Sequence, residues 1–196
     1  MPPQEMRQLT DKATEVVVFS DIFGYTPELA EQLSEWCGAD GWQLITPYQD
    51  RPVFDSDDSA YQFFTAIGGI EAYATRAQRE LPPSSHLWLG FSAGAAIMWQ
   101  LLARPNPPCR QALGFYGGQI RSATELRPGR PVLLIWPRRE HHFDVNGVIQ
   151  ALADHPRLCQ KRSRCGHGFM NPHSAHYSHH AERHYGRWLK NRIAGR

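Results

Sequence analysis

Between Leu87 and Ala103 the chain runs for seventeen residues without a charged side chain, and no other stretch limits the fold as tightly. That length is at the lower edge of what crosses a membrane, but Gly90, Ser92, Gly94 and Gln100 interrupt it. It reads instead as a buried strand, His86 to Phe91, turning directly into a buried helix, Ala93 to Leu102, whose small first residues allow close packing. A strand that is apolar throughout rather than alternating is covered on both faces, as in a parallel sheet with helices on either side.

The rest of the sequence repeats this alternation. Glu15 to Ser20 carries Val16-Val17-Val18-Phe19 and predicts a central parallel strand, followed by the loop Asp21-Ile22-Phe23-Gly24. Thr26 is a suitable N-cap with Pro27 at the first helical position, and Leu29, Ala30, Leu33, Trp36 and Cys37 share one face until Gly38 ends the helix. Gln43 to Thr46 predicts the next strand, Arg51 to Ser59 a polar loop, and Tyr61 to Glu80 a helix weakened by Gly68-Gly69. Ala112 to Tyr116 and Pro131 to Trp136 predict two further apolar strands, and the polar Arg157 to Arg164 an edge strand. His176 to Ile193 predicts a last helix with Tyr177, Ala181, Tyr185, Trp188 and Leu189 on one side.

The 196 residues are enough for one core and short for two, so the expectation is a single domain over 1–196 with residues 1–14 as a lead-in. Lys plus Arg number 21 against 19 for Asp plus Glu, which leaves no basic excess for a phosphate backbone and argues against a nucleic-acid partner. The opening Met-Pro-Pro-Gln-Glu-Met-Arg carries no apolar leader run. Cys37, Cys109, Cys159 and Cys165 form no CxxC pair and are too few for a disulfide scaffold. The expectation is a cytoplasmic protein with reduced thiols and no membrane partner.

Gly90-Phe91-Ser92-Ala93-Gly94 fits G-x-S-x-G between a strand and a helix, where a nucleophilic serine sits on a tight turn that only flanking glycines permit. Ser92 would project from the carboxyl end of the sheet beside a helix N-terminus, whose free N–H groups favour a developing anion. A serine needs a base and an orienting acid, in chain order Ser, acid, His. His167 is the candidate base, because of ten histidines it alone lies between two glycines, in a loop before the final helix. Past the strand Pro131 to Trp136, Glu140 is the nearer candidate acid and Asp144 the reserve.

At these residues the sequence resembles the dienelactone hydrolase family of α/β-hydrolases. The motifs are Asp21-Ile22-Phe23-Gly24, Gly90-Phe91-Ser92-Ala93-Gly94, Phe115-Tyr116-Gly117-Gly118, the acid after Pro131-Val132-Leu133-Leu134, and His167-Gly168-Phe169-Met170-Asn171-Pro172, in family order from about Val16 to the C-terminus. The resemblance implies a three-layer α/β-hydrolase fold, a mostly parallel sheet with helices on both faces. It matches Ser92 to the nucleophile, Glu140 to the acid and His167 to the base. The backbone N–H groups of Ile22 and Ala93 match the oxyanion donors, and Asp21 an acidic residue that can contact the resting nucleophile. The namesake has Cys where this chain has Ser92, and where Asn171 stands it has an arginine that holds a substrate carboxylate. The hydrolase chemistry is thereby carried over and the namesake's substrate is left open.

Only about a dozen residues, Gln119 to Arg130, separate two of the strands, so no lid domain is expected. The site would be shallow and suited to small acyl groups, with Phe23, Tyr25, Phe91, Tyr116 and Phe169 as lining candidates that could equally be core. The expected partner is a small ester or lactone, with no cofactor, in a monomer or homodimer. A thioesterase or general short-chain carboxylesterase, an acyl transferase, and a catalytically silent binding module of the same fold remain alternatives. His173, His176, His179, His180 and His184 crowd the C-terminal segment, and His176, His180 and His184 would share a helix face. No carboxylate or Cys stands beside them in a recognised ligand spacing, and no metal site is expected.

Overall fold

The computed structural model describes residues 15–195; the lead-in expected over 1–14 lies outside them. Six strands form one sheet: β1 (Val16–Phe19), β2 (Trp42–Ile45), β3 (Leu87–Phe91), β4 (Gln111–Phe115), β5 (Val132–Trp136) and β6 (Leu158–Arg162). Their order is β2-β1-β3-β4-β5-β6, with every neighbouring pair parallel. All residues of β1 and β3 are buried, as continuous apolar runs require of central strands. The polar β6 takes the edge, with Cys159, Lys161 and Arg162 exposed.

Helices α1 (Pro27–Cys37) and α6 (His179–Ala194) cover one face, where Leu33 and Trp36 join Leu89, Phe115, Ala181 and Leu189 in a single cluster. Helices α2 (Asp57–Ala66), α3 (Gly69–Glu80), α4 (Ala93–Leu102) and α5 (Val145–Ala151) cover the other, packing Phe64, Tyr73, Ile97 and Val148 with Trp88 and Trp136. This is the expected three-layer α/β architecture. Because the chain passes from β1 outward to β2 and then returns to lay β3 on the other side of β1, the strand order reverses between β1 and β3. Open parallel sheets bind ligands in the crevice at the carboxyl ends of such a pair.

Helix boundaries differ from the sequence expectation where a cap decides them. Thr26 accepts the Leu29 N–H and starts α1 as expected. In the stretch expected to be polar loop through Ser59, Ser56 and Ser59 form a reciprocal capping box that starts α2 at Asp57. The expected single helix Tyr61 to Glu80 is two, because Gly68 takes φ +103° and breaks the ladder. Asp144 accepts the Asn146 and Gly147 N–H groups and starts α5, a helix the sequence reading did not contain. Ser178 accepts the Ala181 N–H and delays α6 to His179; the chain before it makes consecutive turns through Asn171, Ser174 and Tyr177. His176 therefore precedes the helix and does not share a helical face with His180 and His184.

Candidate active site

The turn at the end of β3 is strained. Ser92 has φ 50° and ψ −114°, a conformation that a residue with a side chain adopts only when its surroundings impose it. The two glycines show how they do so. A Cβ on Gly94 would lie 2.2 Å from the Phe19 carbonyl oxygen and 2.4 Å from that of Ser20, and one on Gly90 would lie 2.6 Å from Ala95 Cα. Helix α4 can thus rest its first turn directly on the end of β1. The Ser92 N–H donates to the Phe115 carbonyl at 3.0 Å and pins the turn to β4.

The structure brings three of the sequence-predicted side chains into one line. Ser92 Oγ lies 2.8 Å from His167 Nε2, and His167 Nδ1 lies 2.6 Å from Glu140 Oε1. The Glu140 side chain is 9% exposed and that of His167 37%, so the carboxylate is shielded while the imidazole edge meets solvent. Arg138, two residues before Glu140, donates its N–H to the Cys165 carbonyl at 2.7 Å and joins the acid loop to the histidine loop. Asp144 goes elsewhere: it is exposed, and both its carboxylate oxygens cap α5 at 3.0 and 3.1 Å. A carboxylate directly ahead of a helix start is drawn to the first free N–H groups.

Ala93 is the first residue of α4, so its N–H belongs to the helix's unpaired first turn. Ile22 lies in the β1–α1 loop at the switch point, and that loop is held from both sides. Asp21 Oδ1 accepts the Phe23 N–H at 3.0 Å, Asp21 Oδ2 accepts Asn171 Nδ2 at 2.7 Å, and the Tyr48 hydroxyl donates to the Ile22 carbonyl. Asp21 is 8% exposed; burial raises its pKa against the lowering effect of these hydrogen bonds. Its oxygens serve Phe23 and Asn171, while the Ser92 hydroxyl pairs with His167. The sequence reading missed both Tyr48 and the Asp21–Asn171 bond. The bond joins two of the motifs that carry the resemblance, and its partners lie 150 residues apart in sequence.

Of the lining candidates, Phe91 and Tyr116 border a narrow cleft with Asp21, Met170 and Asn171, and the Tyr116 ring lies 5.2 Å from that of His167. Burial pushes the Tyr116 hydroxyl pKa well up. Phe23 stacks on His173 at 5.8 Å, and Tyr25 lies beneath the Arg51 guanidinium at 3.8 Å. Phe169 is wholly buried among Phe115, Tyr116 and Tyr185 and belongs to the core. His179, His180 and His184 line an open surface groove with Arg183 and Arg187. Among the described residues, no three His, Cys, Asp or Glu side chains converge on a metal position, and no helix is long and apolar enough to cross a membrane.

No protein-family profile matches the chain. It is 26% identical over 172 residues to the uncharacterised protein YczH of Bacillus subtilis, covering 83% of this chain and 84% of that one. It is 25% identical over 152 residues to carboxymethylenebutenolidase 1 of Cupriavidus pinatubonensis, covering 68% of this chain and 64% of that one. Among solved structures, mouse alpha/beta hydrolase domain-containing protein 10 superposes with a TM-score of 0.62 at 11% identity, over 93% of this chain and 90% of that one. A dienelactone hydrolase of Anabaena variabilis gives 0.55 at 16% identity, over 91% and 87%. The fold is the α/β-hydrolase fold, and the dienelactone hydrolase resemblance read from the motifs recurs in both kinds of comparison.

Proposed function

We propose that the chain is a serine hydrolase of the dienelactone hydrolase type, cleaving small ester or lactone substrates through an acyl-enzyme on Ser92. The observation that carries this reading is the unbroken line from Glu140 through His167 to Ser92, at 2.6 and 2.8 Å, set on a strained turn at the switch point of an α/β-hydrolase sheet. The carboxymethylenebutenolidase relative supports the same reaction class.

In this reading His167 Nε2 takes the Ser92 proton as Oγ bonds to the substrate carbonyl carbon. Glu140 holds the ring by its Nδ1–H and stabilises the imidazolium. The carbonyl oxygen becomes an oxyanion between the N–H groups of Ile22 and Ala93, each worth about 10²–10³ in rate. Collapse breaks the C–O bond, His167 returns the proton to the leaving alcohol, and water, deprotonated by the same imidazole, releases the acid. The strain at Ser92 and the Asp21 and Tyr48 contacts to the Ile22 loop fix donors and nucleophile before substrate arrives. Four cysteines with no CxxC pair and no disulfide framework suit a reducing compartment such as the cytoplasm.

The test is steady-state turnover of 4-nitrophenyl acetate, a γ-lactone and an acyl thioester by purified protein and by Ser92→Ala. Ester or lactone turnover that disappears in Ser92→Ala is the expected result. Equal turnover by the two proteins would overturn the reading, and a marked preference for the thioester would reassign the substrate class.

A further inference from the structure

Among the described residues, the large hydrophobic side chains left exposed are Val53, Tyr61, Phe63 and Ile67, all within fifteen residues of sequence. Val53 is 90% exposed and Phe63 44%. This segment adjoins the oxyanion loop. Four rings form a continuous chain away from it: Phe23 packs on Phe54 at 6.4 Å, Phe54 on Tyr48 at 5.6 Å and on Phe63 at 5.5 Å, and Tyr48 on Phe63 at 5.4 Å. Phe23 directly follows Ile22, and the Tyr48 hydroxyl holds the Ile22 carbonyl. On the other side Asp57 accepts the Ala175 N–H from the loop that carries His167 and Asn171. The rings therefore extend from the place where the substrate carbonyl oxygen would sit, between the two catalytic loops.

Exposed apolar surface collected on one segment has a use, because a monomer otherwise buries it or scatters it singly. The charges around it narrow that use. Asp50, Asp55, Asp57 and Asp58 flank the rings, and the one cation among them, Arg51, is engaged on Tyr25. An anionic headgroup or carboxylate approaching this rim meets carboxylates, while a neutral hydrocarbon loses nothing by lying on the rings.

We propose that Phe54 and Phe63, backed by the buried rings of Phe23 and Tyr48, form a platform that receives the apolar moiety of the ester, alkyl or aryl, and that the acidic rim makes the enzyme favour neutral over anionic esters. The proposal rests on Ser92 being the nucleophile and deepens that reading by giving its substrate a chemical class: a neutral ester with one hydrocarbon group of several carbons.

The test compares kcat/KM ratios, so that intrinsic ester reactivity cancels. The acyl arm is 4-nitrophenyl hexanoate against acetate, the alcohol arm is 2-naphthyl against phenyl acetate, and the charge arm is 4-nitrophenyl hexanoate against mono-4-nitrophenyl adipate. The wild-type protein should favour the larger group in one of the first two arms, which identifies the moiety on the platform, and should favour hexanoate at least tenfold over the half-ester. Apolar contacts of this size discriminate by about 10- to 200-fold, so Phe54→Ser and Phe63→Ser should each reduce the preference in that arm about tenfold. Phe63→Leu, which keeps an apolar surface, should restore most of it, and melting curves establish that each variant is folded. Ratios identical in wild type and both serine variants would overturn the platform while Ser92→Ala still abolishes turnover. Turnover surviving in Ser92→Ala would instead overturn the reading of the site itself. A wild-type dimer that Phe63→Ser converts to monomer with no change in the ratios would make the patch a self-association surface and also overturn the proposal.

Discussion

Two regions border the Ile22 loop and are built by opposite rules. The strand–turn–helix of β3 and α4 is uncharged and buried almost throughout, and its glycines let backbone rest on backbone at distances no Cβ would tolerate. The segment 47–67 is rich in carboxylates, starts its helix with a serine capping box, and leaves Val53, Phe63 and Ile67 in solvent. Apolar residues serve position in the first and contact in the second. Substitutions in the elbow should therefore cost activity or folding, and those in the segment should change what is bound.

The largest expected effect lies in the elbow's line of three side chains. Ser92→Ala or His167→Ala should lower kcat/KM for an ester by about 10⁴-fold or more. Glu140→Gln should lower it by about 10³–10⁴, because the ring loses its orienting charge, while Asp144→Asn, four residues on, leaves it within twofold. Equal effects at Glu140 and Asp144 would break the assignment of the acid.

Next comes a comparison of one small change on each side. Gly94→Ala adds a single methyl 2.2 Å from the Phe19 carbonyl oxygen, and since neither is the end of a flexible chain, it should destabilise by about 3 kcal/mol or more, lowering Tm by roughly 6–12 °C. Val53→Ser, at a side chain 90% exposed, should stay within about 0.5 kcal/mol. Thermal melts of the two variants check this, and a similar shift in both would deny that the regions differ.

The smallest effect concerns a buried charge on the α6 face. Burial, and then the neighbouring Glu35, raise the pKa of Glu182. A raised folded-state pKa contributes stability below the ordinary carboxylate value that is lost as pH rises through the folded value. Glu182→Gln should therefore raise Tm at pH 7, and the gain should shrink as pH falls through the raised folded value towards the ordinary carboxylate value. A gain that grew on acidification would reverse the sign of the argument.

The sheet was legible because buried parallel strands read as unbroken apolar runs, and even the polar edge β6 fell where its composition pointed. Helix starts were less so, since Ser56, Asp144 and Ser178 compete with equally plausible caps nearby and only tertiary packing selects among them. Ser92 and His167 could be found from their glycine neighbours. Nearness to β5 and the family resemblance put Glu140 ahead of Asp144, whereas the feature that draws Asp144 away, the start of α5, was not read from the sequence. Within the histidine-rich tail, His173 stacks on Phe23 while His179, His180 and His184 line an open surface groove; a side chain's abundance says little without the sheet edge that focuses it. The ring platform stayed hidden because its members, Phe23, Tyr48, Phe54 and Phe63, are scattered among prolines and aspartates with no period.

The central claim is that Ser92 is an activated nucleophile, and active-site labelling tests it most directly. Intact-mass analysis after treatment with a fluorophosphonate should show one covalent adduct, mapped to Ser92, formed quickly by wild type, at least a hundredfold more slowly by His167→Ala, and not at all by Ser92→Ala. An unlabelled wild-type protein, or labelling that survives in Ser92→Ala, would contradict the account.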